Sequence, residues 1–433
     1  METETIAPNE EKISKDEQEL QKKRKNNIKL YSIYRVFSWD MLFYYAIIYL
    51  FLTIEKDVTP PQFLQFDAFY ILFRFVFQIP GTLTVQKFGK RKALILSNVI
   101  LVIHMLFIIF AKNFGMLIFS QVLCAIGFNI KAICETDMLY DSISADEKRG
   151  SIFAKIDGKA TSRYYYVDAI SAIASGFLFV INPYIPMILC FVFLLITFFL
   201  STRFEEIHPE KGKLEIKEEL KNIKYGFKSI FKSKRLKSLL IFNGLFVGLI
   251  KILQSIRNTV LVEVGMPNQY FGIIFAVMGI IAGISARNQG KIHDKYRNKT
   301  LTVLALPTAI SCLITGFVLL SNFKAELKIV IVLIMFALQY ITKGPYYVIM
   351  RRYFNNFTTS EKRIKISTTN IFCENAIASL LIFAASSILE FVNIDYTSII
   401  VGCVFTIGFV LLLDIMKKTV GLKPEEYSKK EIL

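Results

Sequence analysis

Long apolar runs recur along almost the whole sequence and limit the folds that it can adopt. Each run has about 18 to 25 residues, the length that a helix needs to cross the hydrocarbon core of a bilayer. Short polar segments separate the runs, so the sequence predicts an all-α integral membrane protein with twelve transmembrane helices. The predicted spans are 30–54, 63–86, 92–111, 114–141, 163–182, 184–202, 237–257, 269–287, 299–321, 327–350, 366–390 and 394–416.

The composition excludes several other classes of protein. Hydrophobic residues make up 54% of the 433 residues and charged residues only 20%, less than in an ordinary soluble domain. The six cysteines all lie in apolar runs without a Cys-x-x-Cys pair, and the three histidines are scattered. These cysteines are therefore interpreted as small buried hydrophobes, and no metal or cofactor is expected. No Gly-x-x-x-x-Gly-Lys-Ser/Thr sequence is present, which excludes ATP hydrolysis by a P-loop.

The net charge of +17 is distributed in a way that indicates topology rather than nucleic-acid binding. If the N-terminus is cytoplasmic, 42 of the 52 Lys and Arg residues fall on the cytoplasmic side, five on the other side and five inside spans. Arg257 is counted among the five on the other side. Such a bias follows the positive-inside rule. We expect both termini to be cytoplasmic, the basic face to contact anionic lipid, and the protein to lie in the cell membrane.

The spans divide into two sets of six around a long polar segment. This predicts an N-terminal tail (1–29), a first six-helix bundle (30–202), a linker (203–236), a second bundle (237–417) and a C-terminal tail (418–433). Within the linker, apolar residues recur at helical spacing, which predicts an amphipathic helix on the inner membrane surface. A solvated linker helix is the alternative. The apolar positions are Ile216, Leu220, Ile223, Phe227 and Ile230.

The two halves resemble each other where the second span ends. The first half reads PGTLTVQKFGKRKALILS and the second GISARNQGKIHDKYRNKTLTVLA. In each, an apolar helix is followed by small residues, a short basic loop and another apolar helix. Parallel repeats of this kind occur in transporters built from two related bundles. Gly244-x-x-x-Gly248 and Gly279-x-x-x-Gly283 further predict close packing between helices.

Over residues 30–417 the sequence resembles the major facilitator superfamily. The family's signature in the loop between helices 2 and 3 is Gly-x-x-x-Asp-Arg/Lys-x-Gly-Arg-Arg/Lys. Gln86 stands at the aspartate position, and the basic half of the signature is kept. A bacterial subgroup with Glu-Ile-Pro before this loop and Leu-Ile-Tyr-Asp-Ser at the end of helix 4 is a closer match. The aligned residues are Thr82, Gln86, Lys87, Gly89, Lys90 and Arg91 for the loop, and Gln78-Ile79-Pro80 and Met138-Leu139-Tyr140-Asp141-Ser142 for the subgroup motifs.

The resemblance implies that this loop helps to latch the two bundles on the cytoplasmic side. Because Gln86 cannot form an ion pair, we expect a weaker or differently connected inner gate that relies on Asp141. A role for Asp141 in the cavity is the alternative. Two further departures bear on activity: Leu123 stands where helix 4 of many relatives has an arginine, and span five lacks the Gly-Pro-x-x-Gly-Gly stretch of many drug:proton antiporters.

The resemblance also implies that the first and fourth helices of each half line a central cavity, and each of these spans carries an ionisable residue. Charges inside a membrane are costly and usually functional. The first half contains Asp40 and the pair Lys131–Glu135, which are one helical turn apart. The pair is either a proton-linked switch or a permanent structural ion pair. Asp40 is either a proton site or a partner for Arg35 or for Arg74, which needs an acid partner.

The second half is expected to be locally cationic. Lys251 and Lys343 have no acid nearby in sequence, and Glu374 could neutralise only one of them. This arrangement suits a carboxylate or phosphate on a substrate, although each lysine could instead snorkel or pair structurally. Candidate hydrogen-bonding neighbours are Asn243, Gln254, Gln339, Tyr340 and Asn370.

These features favour a secondary transporter that moves a small organic solute by alternating access, coupled to protons through Asp40 or Glu135. The subgroup resemblance and the 39 Phe and 20 Tyr residues favour efflux of an amphipathic drug- or peptide-like compound. The unpaired lysines favour the alternative, uptake of an anionic metabolite. A membrane sensor or scaffold with a transporter-like fold is a third hypothesis. The expected partners are the solute, protons and the bilayer, with no nucleic acid, and the protein is expected to be a monomer without enzymatic activity.

Overall fold

The computed structural model describes residues 15–144, 149–207, 216–356 and 360–420. Within these ranges every regular element is helical, and two 3-10 turns precede α11 and α13. The helices are α1 (Lys15–Ser38), α2 (Ile48–Glu55), α3 (Pro60–Val76), α4 (Gln78–Phe88), α5 (Lys90–Phe110), α6 (Phe114–Ser142), α7 (Arg149–Ile181), α8 (Tyr184–Thr202), α9 (Ile216–Lys232), α10 (Lys234–Glu263), α11 (Phe271–Arg287), α12 (Gln289–Tyr296), α13 (Thr300–Leu320), α14 (Ala325–Asn356), α15 (Ser360–Phe391) and α16 (Ile394–Val420).

Among the described residues, ten helices are long and apolar enough to cross a membrane, and there are eleven if α3 and α4 count as one bent span. The first predicted span, 30–54, is not a continuous helix. It is divided between α1 and α2 by residues 39–47, where Phe43 has a left-handed φ of 64°. At the break, Asp40 Oδ1 accepts a hydrogen bond from the Met41 N–H (3.0 Å), a local bond that competes with helical pairing.

The second span of the first half is interrupted by a single residue, and in the second half one residue separates the second span from a short helix that follows it. Phe77 separates α3 from α4, which are bent by 52°, and Asn288 separates α11 from α12. Pro80 explains the first break, because proline lacks the N–H that would bond to Val76 and its ring crowds that carbonyl. The two sequence segments that resembled each other therefore adopt the same local architecture.

Following the division predicted from the sequence, we refer to α1–α8 as the first bundle and to α10–α16 as the second bundle. Two glycines on α10 allow α15 to pack closely: a methyl group at Gly244 would lie 2.4 Å from Ile377 Cδ1, and one at Gly248 would lie 2.3 Å from Leu381 Cδ1. This confirms the close packing predicted at that pair. The same prediction for Gly279 and Gly283 on α11 is wrong, because an added methyl group would meet no described atom within 4 Å.

The amphipathic pattern of the linker forms a helix, α9, as predicted. Its described apolar residues pack on the protein: Ile230 is fully buried, and the Phe227 ring lies 6.1 Å from the ring of Phe372 on α15. This part of the apolar face therefore covers α15 and α10 rather than lipid. The side chains of Ile216, Leu220 and Ile223 lie outside the described set, as do residues 1–14 and 421–433 of the predicted tails. The exposed side chains include Lys221, Lys224, Lys228 and Lys232.

Candidate functional site

A buried ion network joins three helices of the first bundle. Arg35 on α1 forms an ion pair with Glu135 on α6, and its Nε lies 3.5 Å from Asp157 Oδ1 on α7. Tyr31 donates a hydrogen bond of 2.6 Å to the same Asp157 oxygen. The Arg35 guanidinium also lies 3.9 Å from the centre of the Trp39 ring, an arrangement that favours a cation over the ring face. The sequence suggested Arg35 only as a partner for Asp40, and Asp157 was not among the candidates.

The predicted pair within α6 is present, but it is the weaker of the two contacts that Glu135 makes. Lys131 Nζ lies 3.9 Å from Glu135 Oε1, while Oε2 is taken by Arg35. Lys131 and Glu135 are 2% and 3% exposed, so each charge is stabilised by its charged neighbours rather than by water. The network thus contains two cations and two carboxylates, and protonation of Glu135 would leave it with an excess positive charge.

Asp40 lies in the break between α1 and α2 rather than inside a helix. Its expected partner Arg35 is bound to Glu135 and Asp157 instead. Lys131 of the first bundle and Lys251 of the second lie within electrostatic range of its carboxyl group. Asp40 therefore faces the region where the two bundles meet.

Arg74 on α3 forms no ion pair within 4 Å among the described residues, so the expected acid partner is not found there. Its carbonyl oxygen accepts a hydrogen bond of 2.9 Å from Asn129 on α6. An acid that the candidate set lacks is Asp67, two helical turns before Arg74 on the same face of α3. Ser255 on α10 donates a hydrogen bond of 2.6 Å to Asp67 Oδ2, and this bond connects the two bundles.

Three predicted polar residues of the second bundle form one cluster. Asn243 on α10 donates hydrogen bonds to Glu374 Oε2 (2.9 Å) and Asn370 Oδ1 (3.4 Å), both on α15. Tyr346 on α14, which sequence reasoning missed, donates to Asn243 Oδ1 (2.9 Å). Lys251 lies in electrostatic range of Glu374 but forms no ion pair within 4 Å among the described groups. Glu374 is therefore held mainly by an amide.

Lys343 and three of its expected neighbours line a small cavity in the second bundle. Arg257, the last residue of the predicted span 237–257 and counted with the cations on the opposite side, lies inside α10 and lines this cavity. The helix continues for six residues beyond the end of that span. Its guanidinium donates to the Tyr340 hydroxyl and lies 4.0 Å from the centre of the Phe275 ring. The lining residues are Ile250, Leu253, Gln254, Arg257, Thr308, Phe336, Gln339, Tyr340 and Lys343.

The basic loop, residues 86–91 around the junction of α4 and α5, makes its contacts within the first bundle. Lys90 forms an ion pair with Asp141 on α6 and lies 3.9 Å from Asp137. The predicted use of Asp141 in place of the missing aspartate thus has a structural counterpart. Another acid that binds this region is Glu206, after α8, whose carboxylate accepts from the backbone N–H groups of Lys90 (3.2 Å) and Arg91 (2.9 Å).

The other residues of this loop shape its backbone. Gly89 has a φ of 79°, a conformation that glycine adopts at little cost, and it separates α4 from α5. The Arg91 guanidinium donates to the Thr202 carbonyl (3.0 Å), and the Lys87 ammonium lies 5.3 Å from the centre of the Phe88 ring. Gln86 Oε1 is buried without a described hydrogen-bond partner. These contacts hold the loop in the first bundle and do not latch it to the second in this conformation.

We name the end of the molecule that carries this loop the basic end, and the end that carries the turn 56–59 the opposite end. At the opposite end the bundles are joined by polar contacts between α3 and α15. Gln65 donates to Glu390 Oε1 (3.0 Å), and Ser386 donates to the Pro61 carbonyl (2.9 Å). Deeper along the same interface, the Phe69 ring lies 5.0 Å from Phe383 and the Phe75 ring 4.1 Å from Phe372.

A second contact between the bundles at this end depends on glycine. A methyl group at Gly272 on α11 would lie 1.8 Å from the Ala172 carbonyl oxygen on α7. One at Gly176 on α7 would lie 2.6 Å from the Gln269 carbonyl oxygen, just before α11. The two backbones approach so closely that neither position has room for a side chain. The described conformation is therefore closed at the opposite end.

The comparisons with known proteins concern both sequence and fold. The sequence profile of the Major Facilitator Superfamily matches residues 36–336. In a comparison with curated proteins by sequence, none matches this chain. Among solved structures, the nucleoside transporter NupG is similar, with a TM-score of 0.70 and 12% identity over 93% of this chain and 100% of that chain.

Two further similar structures are transporters of other solutes. A POT family transporter in complex with a thioalcohol conjugated peptide has a TM-score of 0.66 and 12% identity, over 93% of this chain and 96% of that chain. A D-xylose-proton symporter has a TM-score of 0.64 and 11% identity, over 96% and 99% of the two chains. At these identities the similarity shows the fold only. The solute of this chain has to be inferred from its own residues.

Proposed function

Because this chain belongs to the major facilitator superfamily, we propose that it is a proton-coupled secondary transporter that moves a small organic solute by alternating access. The family membership makes it a multi-pass membrane transporter rather than an enzyme. The observation that carries the proposal is the placement of ionisable side chains where the two bundles meet, with the opposite end closed. Rocking of two bundles around such a central site gives access to one side of the membrane at a time.

Proton coupling is assigned to the network around Glu135. Its carboxylate is shared between Arg35 and Lys131, so the loss of its charge would release two cations at once. Asp40 lies within electrostatic range of Lys131, which links this network to the centre of the molecule. A charge change at Glu135 would thus alter the electrostatic balance between the bundles, as coupling requires. The proton-coupled xylose transporter among the similar structures supports this assignment by analogy.

The orientation follows from the distribution of charge. The basic end carries the loop with Lys87, Lys90 and Arg91, and we propose that it faces the cytoplasm of a cell whose plasma membrane holds the protein. The end that is closed in the described conformation then faces outward. The bundle boundaries near 202 and 237, and a monomeric state, are part of the same proposal.

Two directions of transport remain as proposals. Efflux of an amphipathic drug- or peptide-like compound is supported by the aromatic pairs along α3 and α15, such as Phe75–Phe372. Uptake of an anionic metabolite is supported by the cavity around Lys343. An expression strain distinguishes them: efflux predicts raised resistance to a toxic compound, whereas uptake predicts growth on a metabolite that the parent strain cannot use.

The test of the function is transport by purified protein in proteoliposomes. A radiolabelled solute panel is supplied with and without an imposed pH gradient, and a protonophore is then added. The proposal predicts accumulation that requires the gradient and collapses with the protonophore. Binding of a panel member without transport under any gradient contradicts it and favours the sensor or scaffold hypothesis.

A further inference from the structure

The cavity in the second bundle combines cations with apolar walls and is free of acid. None of the nine described residues that line it is acidic, and two of them are Arg257 and Lys343. The charged groups whose field acts on Lys343 are Lys251 and Arg257, which are also cations. Two acids lie nearby but do not line the cavity: Glu374 is bound to Asn243, and Asp67, within electrostatic range of Arg257, is bound to Ser255.

Lys343 is partly buried, and its ammonium group has no partner among the described residues. It forms no hydrogen bond or ion pair with any described group, and its Nζ lies 5.2 Å from the centre of the Tyr340 ring. A charge in a low-dielectric site is costly unless it is paired and hydrogen-bonded. Contact with one ring face offsets only part of this cost, so the ammonium group has spare capacity to bind an anion.

Arg257 is positioned by contacts that leave donors unused. The Phe275 ring supports one face of the guanidinium at 4.0 Å, and the Tyr340 hydroxyl accepts from one terminal nitrogen. The Arg257 Nε is buried and has no described hydrogen-bond partner. A guanidinium with free donors in a fixed plane recognises carboxylate and phosphate groups by paired hydrogen bonds.

We propose that this cavity is the charge-selecting part of the solute site and that the solute is a small amphipathic organic anion, with a carboxylate or phosphate bound between Arg257 and Lys343. The proposal rests on the transport function proposed above and adds the chemical class of its substrate. Gln254, Gln339 and Thr308 supply further polar groups, while Ile250, Leu253 and Phe336 would contact the apolar part of the solute.

The test is equilibrium binding to the full-length protein in lipid nanodiscs. Four probes share one apolar body and differ in charge: phenylacetate, phenyl phosphate, phenylacetamide and 2-phenylethylamine. A bound probe raises the unfolding temperature in proportion to ln(1 + [L]/Kd). We expect one or both anions to stabilise the protein, competitively with each other, and the amide and the amine to have no effect at equal concentration. Preference for phenylacetate or phenyl phosphate identifies the anionic group.

Matched variants locate the site. Loss of a charged hydrogen-bond donor predicts an affinity lower by about ten- to a hundredfold for Lys343→Met and for Arg257→Gln. Lys324→Met, which removes an exposed lysine of the same bundle, should leave affinity unchanged. If either neutral variant fails to fold, Lys343→Arg and Lys343→Gln are compared instead, and only the arginine variant should retain affinity.

Several results overturn the proposal. They are equal stabilisation by phenylacetamide, unchanged anion affinity in the folded neutral variants, and no response to any of the four probes. The transport proposal fails separately. Anion binding at Lys343 without transport would support the anion site and contradict the transport function. Gradient-driven transport of neutral solutes alone would support the transport function and contradict the anion site.

Discussion

Arg35 and Glu135 form an ion pair that joins α1 to α6 with only 8% and 3% of the residues exposed. Replacing Glu135 by Gln keeps the shape of the side chain and removes the charge that Arg35 and Lys131 share. We expect accumulation driven by a pH gradient to fall by about tenfold or more, because the proton has lost its site, while solute exchange without a gradient continues. Breaking a buried ion pair should also cost about 3–5 kcal/mol of stability.

Tryptophan emission and a control variant check this prediction. Trp39 is the single tryptophan of the chain and its ring contacts Arg35, so its emission should change in Glu135→Gln. Glu19→Gln removes an exposed carboxylate paired with Lys23 and serves as the control, with unchanged transport and emission. Full gradient-driven accumulation by Glu135→Gln would show that proton coupling does not require Glu135.

Gly272 should be required for closure of the opposite end. In Gly272→Ala the new methyl group would collide with the Ala172 carbonyl, so the bundles should be unable to close there and transport should be lost. A cysteine at Gln65, in a variant without the partly exposed Cys403, should then react faster with an impermeant maleimide.

Gly279→Ala in the same helix is the matched control for this prediction. An added methyl group there would meet no described atom within 4 Å. Alanine favours a helix over glycine by roughly 1 kcal/mol, so this variant should be as stable as the parent or more stable. Equal transport by the two alanine variants would show that the close approach at Gly272 is not needed.

Ser255 should stabilise the closed opposite end through its bond to Asp67. Ser255→Ala leaves this carboxylate without its donor, at a cost of about 1–3 kcal/mol to the closed state. We expect the labelling rate at the opposite end to rise by about tenfold. Ser238→Ala, which removes a hydroxyl that bonds only within α10, should leave the rate unchanged. A similar rate in both variants would contradict a role for the Asp67–Ser255 bond in closure.

Glu206 should hold the basic loop in place of the aspartate that Gln86 replaces. A carboxylate at a helix N-terminus contributes about 0.3–1 kcal/mol, and up to 2 kcal/mol where it is partly buried. Glu206→Gln should therefore lower the free energy of unfolding by about that amount and raise hydrogen exchange at the Lys90 and Arg91 amides. Glu205→Gln is the neighbouring control. Unchanged amide hydrogen exchange in Glu206→Gln would mean that the Lys90–Asp141 pair alone keeps the loop ordered.

The sequence predicted the helical class and most of the spans, because twelve long apolar runs leave few alternatives in a bilayer. It failed where a local bond interrupts an apolar run: residues 39–47 read as part of a helix, but the backbone turns at Asp40. It also failed at Arg257, which it counted with the cations outside the spans, because hydropathy does not show which way a charge at the end of a span points. The signal available was the helical continuation of apolar residues to Val262.

Contacts between residues on different helices could not be predicted from the sequence either. The spacing of Lys131 and Glu135 indicates a pair within one helix, but the stronger partner, Arg35, lies 100 residues earlier and is brought close only by packing. Glu206 likewise lies in the linker, far in sequence from the loop that it binds. Chain spacing identifies contacts within a helix, whereas these contacts depend on how α1, α5 and α6 are arranged.

The most direct test of the central claim is proton movement caused by the solute itself. Proteoliposomes loaded with a pH-sensitive dye are exposed to a solute that the protein binds, with no gradient imposed. The account predicts that the solute moves protons across the membrane in the parent protein and in Glu19→Gln, but not in Glu135→Gln. Solute entry that moves no protons in the parent protein would contradict it.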